Sequence, residues 1–147
     1  MTDEPLDYAA LAELRHQIRR FLVFSEGAAR AAGLEPRQHQ LLLAVKGLPA
    51  TERPTIGELA GRLQVRHHSL VELVDRCVAA RLVTRRPSAA DRREILVHVT
   101  ARGERVLRRL SIAHQAELGT AGPALARALR TILSPRRAAR ARRVRHG

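Results

Sequence analysis

Apolar residues recur at helical spacing in the first third of the chain and predict two helices there. Leu14 and Ile18 belong to a repeat of this kind, which predicts a first helix over about residues 7–32. Gly33 follows that stretch, and glycine is favoured directly after a helix. Pro36 suits the first turn of a helix, so we expect a short second helix to begin there.

Two further short helices, separated by a tight turn, are predicted in the middle of the chain. Thr55 and Glu58 have the spacing of a capping box, in which each side chain accepts a hydrogen bond from the other residue's backbone N–H. The helical pattern breaks at Gln64 and resumes over about residues 67–80. The apolar positions of these helices are Ile56, Leu59, Ala60 and Leu63, and then Leu70, Leu73, Val74, Cys77 and Val78. The order is typical of a helix-turn-helix.

A β-hairpin is predicted after these helices. Ile95, Val97 and Val99 occupy alternate positions, as the inward residues of a half-buried strand do. A partner strand is predicted to begin at Leu82, which leaves residues 86–93 as the tip of the hairpin. The sequence therefore predicts a mainly α fold with one small β-hairpin.

A long helix is predicted after the hairpin. Thr100 and Glu104 are interpreted as a second capping box at its start. We expect the glycines and proline within residues 119–123 to interrupt it, and a last helix to end near Leu133.

Positive charge is concentrated in two parts of this 147-residue chain, whose formal net charge is +13. Residues 1–65 are neutral, with eight basic and eight acidic side chains, whereas residues 66–109 carry eleven arginines against five acids. Residues 110–147 carry eight arginines and one acid. This uneven distribution indicates a polyanionic partner for particular segments.

Several classes of protein are disfavoured by the sequence. Cys77 is the single cysteine, which excludes an intrachain disulfide and a zinc site built from cysteines. Long apolar runs and a signal peptide are absent, so we expect a soluble cytoplasmic protein. His67 and His68 are adjacent and diverge by about 100° on a helix, so no metal site is expected. No nucleophile elbow, phosphate loop or zinc-protease motif occurs, so we expect neither an enzyme nor a cofactor.

The order of elements and one segment resemble the MarR family of bacterial transcription regulators. Residues 91–103 (DRREILVHVTARG) are similar to the wing signature of that family, and residues 73–76 and 81–85 resemble its neighbouring segments. The resemblance implies one domain over residues 1–134: a winged helix-turn-helix over about 36–107, with dimerisation helices over about 7–32 and 101–134. Arg81 stands where the family usually has glycine, and Glu72 where a basic residue is frequent.

The resemblance also suggests which residues contact DNA. The second helix of the motif would present its first turns to the major groove, through Arg66, His67, His68, Ser69 and Glu72. The hairpin would act as a wing, through Arg85, Arg86, Asp91, Arg92 and Arg93. By analogy with the family, Arg93 would enter the minor groove and Asp91 would orient it, while Arg85 and Arg86 would contact phosphates.

The implied function is that of a homodimeric repressor on a pseudo-palindromic operator, released by a small aromatic or anionic effector. Effector-pocket candidates are His16, Arg20, Phe24 and His39. Cys77 lies on an apolar stripe, so peroxide sensing is not expected. Residues 135–147, with six arginines, are outside the family pattern and are expected to be disordered when unbound. A nonspecific, architectural DNA-binding protein that uses this tail is the alternative.

Overall fold

The computed structural model describes residues 5–134, which contain five helices and a two-stranded antiparallel sheet. The elements are α1 (Tyr8–Ala31), α2 (Pro36–Lys46), α3 (Ile56–Leu63), α4 (His67–Ala79), β1 (Val83–Pro87), β2 (Ile95–Val99) and α5 (Ala101–Leu133). The predicted fold class is confirmed. The arginine-rich segment 135–147 lies outside the described residues. In the described part of the chain, no helix has the length and hydropathy that crossing a membrane requires.

The chain divides into two compact units. The first contains α1 up to Ser25 and α5 from His114 onward, and the second runs from Glu26 to Ala113. The second unit therefore holds α2, α3, α4 and the hairpin, together with the adjoining ends of α1 and α5.

An aliphatic core holds the second unit together. The fully buried side chains include Leu41 and Leu42 of α2, Leu59 of α3, Leu70 and Val74 of α4, and Val83 and Val97 of the hairpin. Each of these helices buries the apolar stripe that the sequence periodicity predicted, because its opposite face is polar. Burying a side chain of this size contributes about 1.5–3 kcal/mol, so the core fixes how α4 and the hairpin are held.

The helix-turn-helix forms as predicted, with one difference at its first cap. The Thr55 hydroxyl accepts a hydrogen bond from the Glu58 backbone N–H at 3.1 Å and caps α3. The Glu58 carboxylate instead accepts from Arg62, one turn further along. Gln64 ends α3 in the left-handed conformation (φ 53°), which turns the chain sharply toward α4.

The second predicted capping box is wrong in one of its members. The Thr100 hydroxyl accepts from the Gly103 backbone N–H at 3.0 Å, so threonine caps α5 as expected. The Glu104 carboxylate, one residue beyond the position that a capping box requires, lies 2.6 Å from Nζ of Lys46. Glu104 therefore joins α5 to α2.

The predicted interruption of the last helix is also wrong, because α5 continues through residues 119–123 and contains Pro123. A proline ring within a helix crowds the carbonyl four residues earlier, which here belongs to Gly119. Glycine has the least hindered backbone and can best accommodate this crowding. The same residues that suggested a break are thus compatible with one continuous helix.

The first unit joins the two long helices through an aromatic cluster. The His114 ring lies edge-on to Phe21 and Phe24, with centroid distances of 5.9 and 5.4 Å. Its Nε2 is 2.8 Å from the Ser25 hydroxyl oxygen. These contacts fix α1 against α5 within this unit.

Candidate DNA-binding surface

The start of α4 presents a polar surface, while the rest of that helix is anchored in the core. Leu70 and Val74 are fully buried, which fixes the rotation of the helix about its axis. Arg66, His67, His68 and Glu72 are exposed, and Ser69 is half-buried. All five predicted recognition residues are therefore wholly or partly accessible at the start of α4. Their roles stay a prediction.

Asp91 organises the tip of the hairpin. Its Oδ1 accepts a hydrogen bond from the Arg93 backbone N–H at 3.0 Å and lies 3.5 Å from Nε of the same arginine. The Ser88 N–H donates to the Glu94 carbonyl oxygen and closes the loop. The Arg93 side chain is nevertheless 94% exposed, so its guanidinium is both oriented and accessible. The sequence-based pairing of Asp91 with Arg93 is present in the structure.

The register of the hairpin separates the two arginines of β1. Arg85 lies directly opposite the buried Val97. Its side chain therefore projects from the same face of the hairpin as Val97, the face that covers the core. It reaches α4 and pairs with the Asp75 carboxylate. Arg86 lies opposite Leu96 and is exposed. Arg85 thus joins the wing to the predicted recognition helix, a contact that the sequence analysis did not anticipate.

A second anchor connects the hairpin to the segment before α3. The Val97 N–H donates to the Pro54 carbonyl oxygen at 2.9 Å, and Thr55 forms a bridge with Leu96. Beside these contacts, Nη1 of Arg53 is 2.9 Å from Oε1 of Glu94, an oxygen that is fully buried. The wing is therefore held from both sides, by α4 and by this segment.

Cys77 lies beneath this surface rather than in it. Its side chain is fully buried, and this burial raises the pKa of the thiol to about 12. Two nearby charges have smaller effects on this pKa: Arg76 lowers it and Glu35 raises it. Nε of Arg76 is 3.0 Å from the Glu35 carboxylate, so these two charges largely engage each other. The thiol therefore stays protonated at neutral pH and is a poor nucleophile.

The four predicted effector-pocket residues are divided between the two units. In the first unit, His16 and Arg20 are exposed and Phe24 is half-buried against His114. In the second unit, His39 is buried within α2. The pocket that was expected around them stays a prediction.

In the described part of the chain, no three histidine, cysteine, aspartate or glutamate residues are grouped so that they could hold a metal ion. The interface residues described above are arginines, histidines and hydroxyl-bearing or acidic side chains. This chemistry suits hydrogen bonding to base edges and phosphates.

Comparisons with known proteins show similarity to transcription regulators in sequence and in fold. A sequence model of the MarR family matches residues 32–94. The chain is 28% identical over 117 residues to YsmB of Bacillus subtilis (strain 168), an uncharacterised HTH-type transcriptional regulator, and the match covers 78% of each protein.

Two solved structures have the same fold. AbsC, a MarR family transcriptional regulator from Streptomyces coelicolor, aligns with a TM-score of 0.71 and 21% identity, over 99% of this chain and 100% of that one. A mutant MarR from E. coli complexed with operator DNA aligns with a TM-score of 0.57 and 19% identity, over 70% and 71% of the two chains. Residues 32–94 therefore match the MarR family, and the chain has the fold of a solved MarR family regulator, which confirms the resemblance seen in the sequence.

Proposed function

We propose that this chain is a sequence-specific DNA-binding transcription regulator, a homodimeric repressor that a small-molecule effector releases from its operator. The observation that carries the proposal is that one unit presents both the exposed polar start of α4 and the exposed Arg93, which Asp91 orients. The DNA-bound MarR of similar fold supports it.

The start of α4 reads base edges in the major groove. Recognition helices of this motif contact bases through their N-terminal residues, and here those are Arg66, His67, His68, Ser69 and Glu72. Arginine can donate two hydrogen bonds to guanine, whereas a carboxylate accepts only, from the amino group of cytosine for example. Glu72 also repels phosphates, so it discriminates between sequences more than it adds affinity.

The hairpin reads the minor groove and the backbone. Arg93 enters the minor groove, where a narrow A·T-rich stretch has an enhanced negative potential, and Asp91 holds its orientation. Arg86 contacts phosphates and fixes the register, Arg85 contacts them from its position beside Asp75, and Arg92 adds positive charge at the tip.

A second copy of the chain completes the operator-binding unit. The first unit exposes large apolar side chains on both of its helices: Tyr8, Leu11, Ile18, Leu22 and Val23 on α1, and Leu118, Leu129 and Leu133 on α5. Apolar exposure on this scale marks a protein interface. Two-fold pairing would place two recognition helices about 34 Å apart, one turn of DNA, on a pseudo-palindromic operator.

We place the protein in the bacterial cytoplasm, on the nucleoid when it is bound to DNA. His16, Arg20, Phe24 and His39 remain the candidates for effector binding, since they combine aromatic and cationic side chains suited to an aromatic or anionic molecule.

Fluorescence anisotropy with the DNA directly upstream of the protein's own gene tests the proposal. The competitor is scrambled DNA of equal composition, and the titration is repeated across a salt series. We expect a preference of about 10³ or more that persists at physiological salt. Equal affinity for both DNAs, falling together as salt rises, would contradict an operator at this locus.

The wing is tested by Arg93→Ala, with Arg127→Ala of α5 as a control that removes the same charge from an exposed helical position. Arg93→Ala should weaken operator binding about tenfold or more, because a guanidinium in the minor groove contributes about 1–3 kcal/mol. Arg127→Ala should bind as the unchanged protein does. If both variants bound operator DNA equally weakly, Arg93 would contribute only through the net charge of the protein, and the specific role of the wing would be contradicted.

The alternative of a nonspecific, architectural protein rests on the six arginines in residues 135–147. Deletion of those residues separates the two functions. A repressor without the tail keeps its sequence preference, whereas an architectural protein loses most of its binding, since its affinity comes from displaced counterions.

A further inference from the structure

One face of α5, near its start, carries positive charge that neither the core nor the DNA-reading elements use. Arg102, Arg105, Arg108 and Arg109 are all exposed, within a single stretch of two turns. Together with Val106 they line an open cavity of about 460 Å³. We refer to these five residues as the α5 arginine groove.

Among the described residues, no carboxylate forms an ion pair with an arginine of the α5 arginine groove. In the described chain, the arginines in ion pairs are Arg30, Arg53, Arg62, Arg76, Arg85 and Arg93. Glu104 is the acidic residue of this stretch, but it points to Lys46 on α2, at 2.6 Å. Glu104 is about 160° away from Arg102 around the axis, and it lies four positions before Arg108 on the same side of the helix. With four arginines against one carboxylate, which engages Lys46, this stretch keeps a net positive charge.

The groove is also built on a fixed support. Leu107 and Leu110, on the opposite side of the same turns, are buried in the core of the second unit. Nε of Arg102 donates to the Ala80 carbonyl oxygen at 3.2 Å, at the end of α4. The remaining nitrogens of that guanidinium can still donate to a ligand, since arginine has five N–H groups.

This position separates the groove from the DNA-reading end of α4. Ala80 follows the last residue of α4, whereas the predicted base-reading residues begin at Arg66. Thirteen helical residues span about 20 Å, so Arg102 contacts the end of α4 that is farthest from the reading end. A duplex engaged by the start of α4 is thus not expected to fill the groove.

We infer that the α5 arginine groove binds a small molecule that carries two or more linked phosphate groups. The row from Arg102 to Arg109 spans about 10 Å along the helix, which suits a short phosphate chain rather than a long polymer. A volume near 460 Å³ falls within the range of about 300–1,000 Å³ found for small-molecule sites. Guanidinium groups match phosphate oxygens through paired hydrogen bonds, and an apolar residue, Val106, lies among them for the non-phosphate part.

Isothermal titration calorimetry of the full chain without DNA tests this inference, at near-physiological salt. The probes are ATP and inorganic tripolyphosphate, which share the phosphate chain and differ in the nucleoside. The groove variant is R105A/R109A, and the control is R127A/R130A, which removes the same charge from exposed positions of the same helix outside the groove. Residues 135–147 are present in all three proteins, so any binding by that segment is common to them.

Both probes should bind the unchanged protein. R105A/R109A should lower the affinity for both probes by about tenfold or more for each charged hydrogen bond that is lost. R127A/R130A should bind both probes normally. Matching circular dichroism spectra and melting temperatures would show that the variants are folded, as expected for exposed side chains. The inference would be overturned by absence of binding to the unchanged protein, by binding of ATP alone, or by equal losses in the two variants. It would also be overturned if R105A/R109A left the binding of both probes unaffected. Since the titration contains no DNA, failure here leaves the proposed repressor function as it stands.

Discussion

Gly103, at the start of α5, is buried where the helix touches the chain between α4 and β1, and no other side chain fits there. A Cβ at this position would overlap the Leu82 carbonyl oxygen and lie 2.7 Å from Cγ1 of Val99. The Leu82 carbonyl cannot easily move away, because it accepts a hydrogen bond from the Thr100 N–H at 3.0 Å. The Thr100 hydroxyl also lies 3.1 Å from it and shares its proton with the Arg81 carbonyl oxygen at 2.7 Å. Gly103→Ala should therefore force apart the junction between the hairpin and α5.

The magnitude follows from three contributions. Crowding of a packed site costs about 1–3 kcal/mol. Weakening of the two hydrogen bonds to Leu82 adds about 1 kcal/mol. Replacing glycine by alanine within a helix returns about 1 kcal/mol through helix propensity. We expect Gly103→Ala to lower the free energy of unfolding by about 2 kcal/mol.

Urea denaturation followed by circular dichroism, at one protein concentration, measures this change. Gly27→Ala is the matched control, because it is the same substitution within a helix, α1, and a Cβ there meets nothing within 4 Å. It should raise the free energy of unfolding by about 0.5–1 kcal/mol, through propensity alone. A Gly103→Ala protein as stable as the unchanged one would refute the steric argument.

Three further predictions concern the second unit. Thr55→Ala removes the cap on the Glu58 N–H and should cost about 1 kcal/mol in urea denaturation, whereas a change near zero would show the cap to be dispensable. Arg53→Ala leaves a buried oxygen of Glu94 without its cation; stability should fall by about 1–2 kcal/mol, and addition of Glu94→Gln should recover part of the loss in a double-mutant cycle. Burial raises the pKa of Cys77 from 9.0 to about 12, so native protein at pH 8 should resist thiol reagents that label the urea-unfolded chain quickly. Because the folded state holds this proton more tightly, the associated stability is fully present below pH 9 and declines as the pH rises toward 12; a Cys77→Ser variant should lack this decline.

Local patterns in the sequence were sufficient for most elements of the second unit. The stripe containing Leu70 and Val74 predicted the buried face of α4, because a helix of this length shows its period clearly. The alternation of apolar and polar residues around Val97 predicted β2, because successive side chains of a strand point to opposite faces. Pro123 misled the prediction of α5, since a local rule could not anticipate that a proline would be accommodated within a continuous helix.

The candidate surface was only partly predictable. Arg93 and Asp91 are two residues apart, so their contact follows from local turn chemistry. The pairs Arg85–Asp75 and Arg53–Glu94 join separate elements, and nothing in their spacing marks them. Such contacts depend on how the helices and the hairpin pack against each other. That packing is set by the core as a whole and not by any local sequence pattern.

The hairpin is packed against the core at its base and exposed at its tip, and this contrast has a consequence for evolution. The base is secured by the buried Val83 and Val97 and by the bond to Pro54. The tip residues Asp91 to Arg93 are exposed and bury little, so exchanging them changes the folding free energy only slightly. Mutations at the tip can therefore accumulate without loss of the folded protein, and a lineage could shift its DNA preference there while the framework stays unchanged.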